Sequence, residues 1–425
     1  MTALSTSAAG HDRRTAIDGR CVGLSRRQGL ALLALFAALE PVRAAAPDAR
    51  WSARSLPTVE PMRQLRPGGR SGLLGIGASG ALWALSPAGG APRRLAVGLD
   101  PATPLASGHG RIAARLADGG LWLWDGEREQ HSAPQVLAAY AGLLCLPLAV
   151  IGVSAHAGAQ QVVRLEPDGE RGWTVVARSA DPVLPDARPL LVDLDGSGDG
   201  GHVVVLAGPD RQRYDHGVLG DAVEATRLLW LERHNLQVLR ELTLPAPQVF
   251  EDIAPRAVAL ARGSGLLSVR SGSAGAQLVL VTADAAHAAR LQVAAVGDAL
   301  GQPNRWLAPT TDGRRLLAVH TPHIGGVLHE YRLQGDRLLG LAVARDLSTH
   351  RIGSRELDLA VWLGSKLVVP GQDGLSLRVL DIAKAYAQTL SVALPARVAM
   401  TVALPAAQGM AALLDDGRVL SWRLP

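Results

Sequence analysis

Two neighbouring stretches hold the residues best suited to chemistry. Asp193-Leu194-Asp195-Gly196-Ser197-Gly198-Asp199-Gly200-Gly201 sets side-chain oxygens at alternate positions of a glycine-bent turn. Hard oxygens in that order suit Ca²⁺, which takes roughly six to eight of them. Asp193, Asp195, Ser197 and Asp199 are the candidate ligands, with the cation in a structural role. An Asp/Gly hairpin without metal is the competing reading. A polar segment follows from Asp210 to Glu224, with Arg213, Tyr214, His216, Asp221 and Glu224. Later connections add Asp252, Arg256, His320, His323, His350, Arg355 and Glu356. Mixed Arg, His, Tyr and carboxylate groups suit a polar small molecule, a sugar-like ligand or a peptide. Solvated loops without a ligand are the alternative. His216, His320, His323 and His350 with nearby acids also allow a transition-metal or catalytic site, but His-x-x-His in a loop lacks the helical His-Glu-x-x-His context. Nucleophile elbows, Walker loops and dinucleotide fingerprints are absent in usable context. No residue is assigned a catalytic role.

The elements that position these residues recur. From Trp51 onward, short apolar runs alternate with Gly- and Asp-rich turns, and helical periodicity is weak. Runs of the Leu-Trp-x-Leu type occupy 81–85, 121–124, 162–165, 228–231, 278–281, 327–331, 375–380 and 419–422. Asp-Gly pairs beginning at Asp118, Asp168, Asp312, Asp373 and Asp416 punctuate them as hairpin turns should. A period of about 40 to 65 residues signals a propeller or an array. A four-stranded sheet cannot bury both faces alone, and radial stacking solves that problem. The expectation is an all-β chain forming one β-propeller of about eight blades over residues 47–425. Seven blades remain possible, because 139–160 is poorly punctuated. The chain stops after a third strand, so Trp51–Leu56 is expected to supply the fourth and close the ring. The tryptophans are expected to pack between blades.

In this setting the Asp193 turn resembles the FG-GAP/VCBS propeller repeats, which carry a calcium-binding Asp-x-Asp-Gly-Asp-Gly hairpin between neighbouring strands. Asp193, Asp195, Gly196 and Gly198 match that pattern. Ser197 stands where the family has Asp, and Gly201 where it has an acidic residue. The resemblance covers one repeat and implies a structural Ca²⁺. Strand alternation in a propeller puts the Asp193 turn on one face. The polar connections of blades four to seven fall on the other, with 320–323 the least secure of them.

Composition narrows the function. Hydrophobic residues at 48% and charged residues at 19%, with 47 Gly and 26 Pro, describe a folded, turn-rich chain. Of the net charge of +5, residues 1–46 carry +3, leaving +2 for the rest. No clustered basic face points to nucleic acid. Cys21 and Cys145 offer no metal spacing, and Cys145 reads as a buried small hydrophobe. Residues 1–46 read as an export signal. Ser25-Arg26-Arg27 and Leu30 resemble the twin-arginine motif, departing from it at Gly29 and Ala31. An apolar run too short for a stable membrane anchor follows, then small residues that place cleavage after Ala44 or Ala46. The general secretory route is the alternative. The expected product is a periplasmic or secreted propeller that binds a polar small molecule or an envelope protein. A propeller enzyme, hydrolase- or oxidoreductase-like, is the second reading.

Overall fold

Gradients of hydrophobicity along each repeat become gradients of burial across each sheet. Second strands such as Leu73–Gly77 and Gly409–Leu414 are buried throughout, because neighbouring sheets cover both of their faces. Fourth strands such as Glu129–Ser132 and Val238–Thr243 are polar and largely exposed at the rim. The computed structural model describes residues 51, 53–68, 72–170, 172–284, 290–405 and 409–423. The expected export signal, residues 1–46, lies outside them.

Among the described residues the strands form eight antiparallel blades of four, and the two-residue strand Val249–Phe250 bridges the fourth and fifth. Blade one holds Met62–Pro67, Leu73–Gly77, Leu82–Leu85 and Arg93–Ala96, and blade two Ala106–Gly108, Arg111–Arg115, Leu121–Trp124 and Glu129–Ser132. Blade three holds Leu144–Cys145, Val150–His156, Ala159–Asp168 and Gly172–Arg178. Its first strand is only two residues long, which is why 139–160 is hard to parse from sequence. Blade four holds Leu190–Val192, His202–Asp210, Glu224–Leu231 and Val238–Thr243, and blade five Arg256–Ala259, Ser264–Ser271, Gln277–Asp284 and Arg290–Val296. Blade six holds Leu307–Thr311, Leu316–His320, Val327–Gln334 and Arg337–Ala344, and blade seven Val361–Leu363, Lys366–Pro370, Ser376–Asp381 and Ala387–Ala393.

The eighth blade is composite. Val398–Ala403, Gly409–Leu414 and Val419–Arg423 come from the end of the chain, and Arg54–Ser55 adds the fourth strand. Arg54 pairs with Ser421 and Ser55 with Leu420, and Leu56 N donates to Val419 O at 2.9 Å. Trp51 packs with Met410 and Trp422 in the core between blades seven and eight, while Leu56 joins Met62 and Leu65 between blades eight and one. The remaining apolar clusters lie between successive blades, with Trp122, Trp173, Trp230 and Trp306 among them. The Asp-Gly turns supply left-handed backbone where two blades meet: Gly417 has φ +86°, and a Cβ there would lie 2.5 Å from Pro61. No helix of the described residues is long and apolar enough to cross a membrane.

Candidate functional site

Strand order assigns every connection to a face. Connections from second to third strand, and from one blade to the next, share the loop face. Connections from first to second strand occupy the opposite face. The segments after Asp210, Thr243 and His320, and the one between Ala344 and Val361, therefore all open on the loop face. The segment containing His323 follows a second strand, so its placement is settled. The Asp193 turn joins the first two strands of blade four and lies opposite.

The segment between blades six and seven organises the loop face. Gly353 N donates to Val218 O of blade four at 2.8 Å. Arg355 forms ion pairs of 2.8 Å with both Asp186 and Asp221, and its guanidinium lies 4.6 Å from the centre of the Tyr140 ring. Its carbonyl accepts a hydrogen bond from Arg188. Glu356 pairs with Arg66 of blade one at 2.8 Å. Contacts with blades on both sides of the ring carry the segment across the mouth of the central channel as a strap. Burial alone would raise the Glu356 carboxyl, but Arg66 and Arg188 hold it below the usual range. Asp358 has no ion-pair partner, and burial, offset only in part by Ala360 N, Thr310 and the charge of Arg256, pushes it up to about 7.

A second knot lies beside the strap. Glu251, fully buried, accepts from Ser271 and pairs with His216, while its carbonyl accepts from Trp306 Nε1 at 3.1 Å. Burial raises the Glu251 carboxyl, and His216 and Ser271 offset that only in part. Glu224 is raised further, first by burial and then by the charge of Glu251. Asp252 is shared by Arg256, at 2.7 Å, and Ser268 Oγ, at 3.0 Å. Tyr214 is buried, its hydroxyl accepting from Asn304 N at 2.7 Å, and burial lifts it to about 12.

The histidines divide. His323 stacks on Trp306, with ring centres 6.3 Å apart, and lies 3.1 Å from His350 through Nε2 and Nδ1. His350 Nε2 reaches Ser354 O at 2.8 Å. Both rings border a cleft of about 200 Å³ shared with Ile352, Gln372 and Arg397. The structure does not bring His320 to this cluster. Its ring stacks on His329 at 3.6 Å and bonds the Tyr331 hydroxyl, and burial takes it down to about 3. Arg213 is also occupied elsewhere, donating to Leu244 O at 3.1 Å beside Asp210.

On the opposite face, Asp193 Oδ1 and Asp195 Oδ1 converge on Ser197 N, each at 3.1 Å. Asp199 turns to Gly201 N at 2.9 Å, and lies 3.8 Å from His202. Two of the carboxylates thus converge on one amide, and the third does not join them. Among the described residues no set of three His, Cys, Asp or Glu is arranged to hold a metal.

No family model and no curated protein matches the chain. Solved structures do. Sqt1 of Saccharomyces cerevisiae is 10% identical with a TM-score of 0.57, covering 90% of this chain and 100% of its own. The C-terminal WD40 domain of Sif2 is 12% identical with a TM-score of 0.54, covering 88% and 98%. BamB from Moraxella catarrhalis is 13% identical with a TM-score of 0.51, covering 88% and 98%. By fold the chain is a β-propeller. At these identities the likeness reaches no further than fold, and the chemistry must be read from the site itself.

Sequence reasoning missed Arg66, Tyr140, Asp186, Arg188 and Ser271, none of which stands in a motif, and assigned Trp306 to packing alone. Asp358 gives a direct check on the electrostatics. Between about pH 4 and pH 7 its folded carboxyl holds a proton that the unfolded chain has lost, so its contribution to stability falls as pH rises through that window. Asp358→Asn cannot ionise. Its melting temperature should exceed the parent's by a margin that grows from pH 4 to pH 7 and then levels off. A tenfold change in a protonation equilibrium is worth about 1.4 kcal/mol, so even part of the effect is measurable. A margin independent of pH would contradict the assignment.

Proposed function

We propose that the chain is an exported, periplasmic propeller that acts as a protein-binding scaffold and meets its partner, an envelope protein, with the loop face. One observation carries this reading: most charged side chains at the mouth of that face are paired with each other, while large apolar side chains of the same face, Ile324 and Ile352 among them, stand exposed. Arg66, Arg256 and Arg355 are paired with Glu356, Asp252, Asp186 and Asp221, and His216 with Glu251. A polar small molecule would have to break those pairs. Ile324 and Ile352, by contrast, are 63% and 66% exposed. Exposed apolar groups on a rigid loop face suit a protein contact. The enzyme reading needs acids and histidines open to a substrate, whereas the closest such pair here ends in a buried Glu251.

Export is supported by the charged, apolar and small-residue order of residues 25–46, with Ser25-Arg26-Arg27 and Leu30 as a twin-arginine-type signal. A structural Ca²⁺ of the FG-GAP/VCBS type is supported by the convergence of Asp193 and Asp195 on one amide. Asp195 and Asp193 would hold the ion, and its binding would brace the turn where Gly196 packs against Gly263 of blade five.

Photo-crosslinking in the native host tests the docking face. A crosslinker at Ile352 should give a discrete heavier adduct, and one at Leu148, on the opposite face and 72% exposed, should not. The reverse pattern, or no adduct at either, would sink the reading. For the cation, millimolar Ca²⁺ should raise the melting temperature of the chelator-treated protein, and Asp193→Ala should abolish the rise. An unchanged melting temperature would remove calcium from the account.

A further inference from the structure

The cleft beside the strap has a chemistry narrower than that of a general docking face. It is assembled from three blades: His323 from blade six, Arg351 and Ile352 from the strap, Gln372 from blade seven, and Arg397 and Val398 from the connection into blade eight. Its volume of about 200 Å³ is below the roughly 300 Å³ at which small-molecule sites begin. It has room for a side chain or two, not for a cofactor.

Three features of its wall are chemically specific. The first is unbalanced positive charge. Arg351 and Arg397 are both exposed, and neither has a carboxylate partner among the described residues. Arg397 Nε donates only to the Asp373 carbonyl, at 3.2 Å. Asp373 is the single carboxylate in the lining, and its Oδ1 caps the amide of Leu375 at 2.9 Å. Arg355, in the same strap, is paired twice over, so the contrast lies within one segment.

The second feature is a neutral imidazole pair. His350 Nε2 can only donate to the Ser354 carbonyl, which leaves its Nδ1 as a lone pair. That lone pair must accept from His323 Nε2–H, at 3.1 Å. The His323 ring lies parallel to Trp306 and also interacts with the His350 backbone, so it is held in place on the cleft wall. Burial keeps both rings below their ordinary range, His350 down to about 3, so the relay stays neutral at physiological pH. The third feature is apolar. Ile352 stands in solvent at the rim, and Leu359 and Val398 are buried beneath it.

Resting on the docking reading above, we infer that this cleft takes a short segment of the partner in which an apolar side chain is flanked by carboxylates. The apolar side chain enters against Leu359 and Val398. The carboxylates meet Arg351 and Arg397 in charge-assisted hydrogen bonds, which guanidinium groups form well. A basic segment would meet two uncompensated cations and is rejected.

Selection of random twelve-residue peptides displayed on phage, against the mature chain, tests this. The recovered peptides should carry Asp or Glu next to Leu, Ile or Phe. Binding of the synthetic peptides, read by fluorescence anisotropy, should weaken at least tenfold in the Arg351→Glu, Arg397→Glu double variant and as salt is raised, while Leu148→Glu leaves it unchanged. Circular dichroism melting confirms that the variants are folded. Basic or uncharged winners, winners indifferent to the double variant, or no winners at all would overturn the inference. The two proposals fail separately. An adduct at Ile352 with indifferent peptides removes only the acidic-apolar chemistry, whereas absence of the adduct removes the docking face.

Discussion

A four-stranded sheet with two apolar faces is not stable alone, and every other feature of this chain follows from how that is resolved. Each blade needs a neighbour on both sides, so the array must close. Closure falls to Arg54–Ser55, which pairs with Val419–Arg423 and brings Trp51 and Leu56 into the last two inter-blade cores. The resulting ring leaves a central channel whose mouth is polar, because the connections between blades start and end there. Buried or half-buried charges at such a mouth must find partners or lose their charge.

The molecule uses both solutions. The strap lays Arg355 and Glu356 across the mouth and pairs them with blades one and four and with the connection into blade four. Asp358 and Glu224, without equivalent partners, are pushed toward the protonated form. Breaking a buried pair leaves an uncompensated charge, a cost of about 3 to 5 kcal/mol where burial is complete and less at a partly open mouth. The network therefore fixes the strap, and the strap fixes the cleft. On the proposed docking role, its consequence is rigid presentation of Ile352 and Arg351 at the rim.

The fold was legible because it is written in repetition. Eight apolar runs, their Asp-Gly turns and a chain that stops one strand short led to eight blades and an N-terminal closing strand. Loop placement was legible too, since strand alternation sorts connections onto faces without any coordinates. Pairing within the face was not. Arg66 and Glu356 are 290 positions apart and stand in no motif. Arg213, Asp221 and Arg355 read as free polar groups, because sequence shows residue type but not the partner that consumes it. His320 looked like half of a His-x-x-His pair with His323. The end of the strand turns its ring toward His329 and Tyr331 instead. The uncompensated arginines of the cleft emerge only once Arg355, in the same strap, is seen to be paired twice.

The central claim is that the paired charges at the channel mouth hold the strap in place. A charge-swap cycle at the pair spanning the mouth measures this directly. Arg66→Glu and Glu356→Arg should each lower the melting temperature, by placing like charges together, and the double variant should recover most of the loss through a coupling of about 1 to 3 kcal/mol. If the single reversals melt like the parent, or the double variant recovers nothing, the pair does not carry the strap and the account fails.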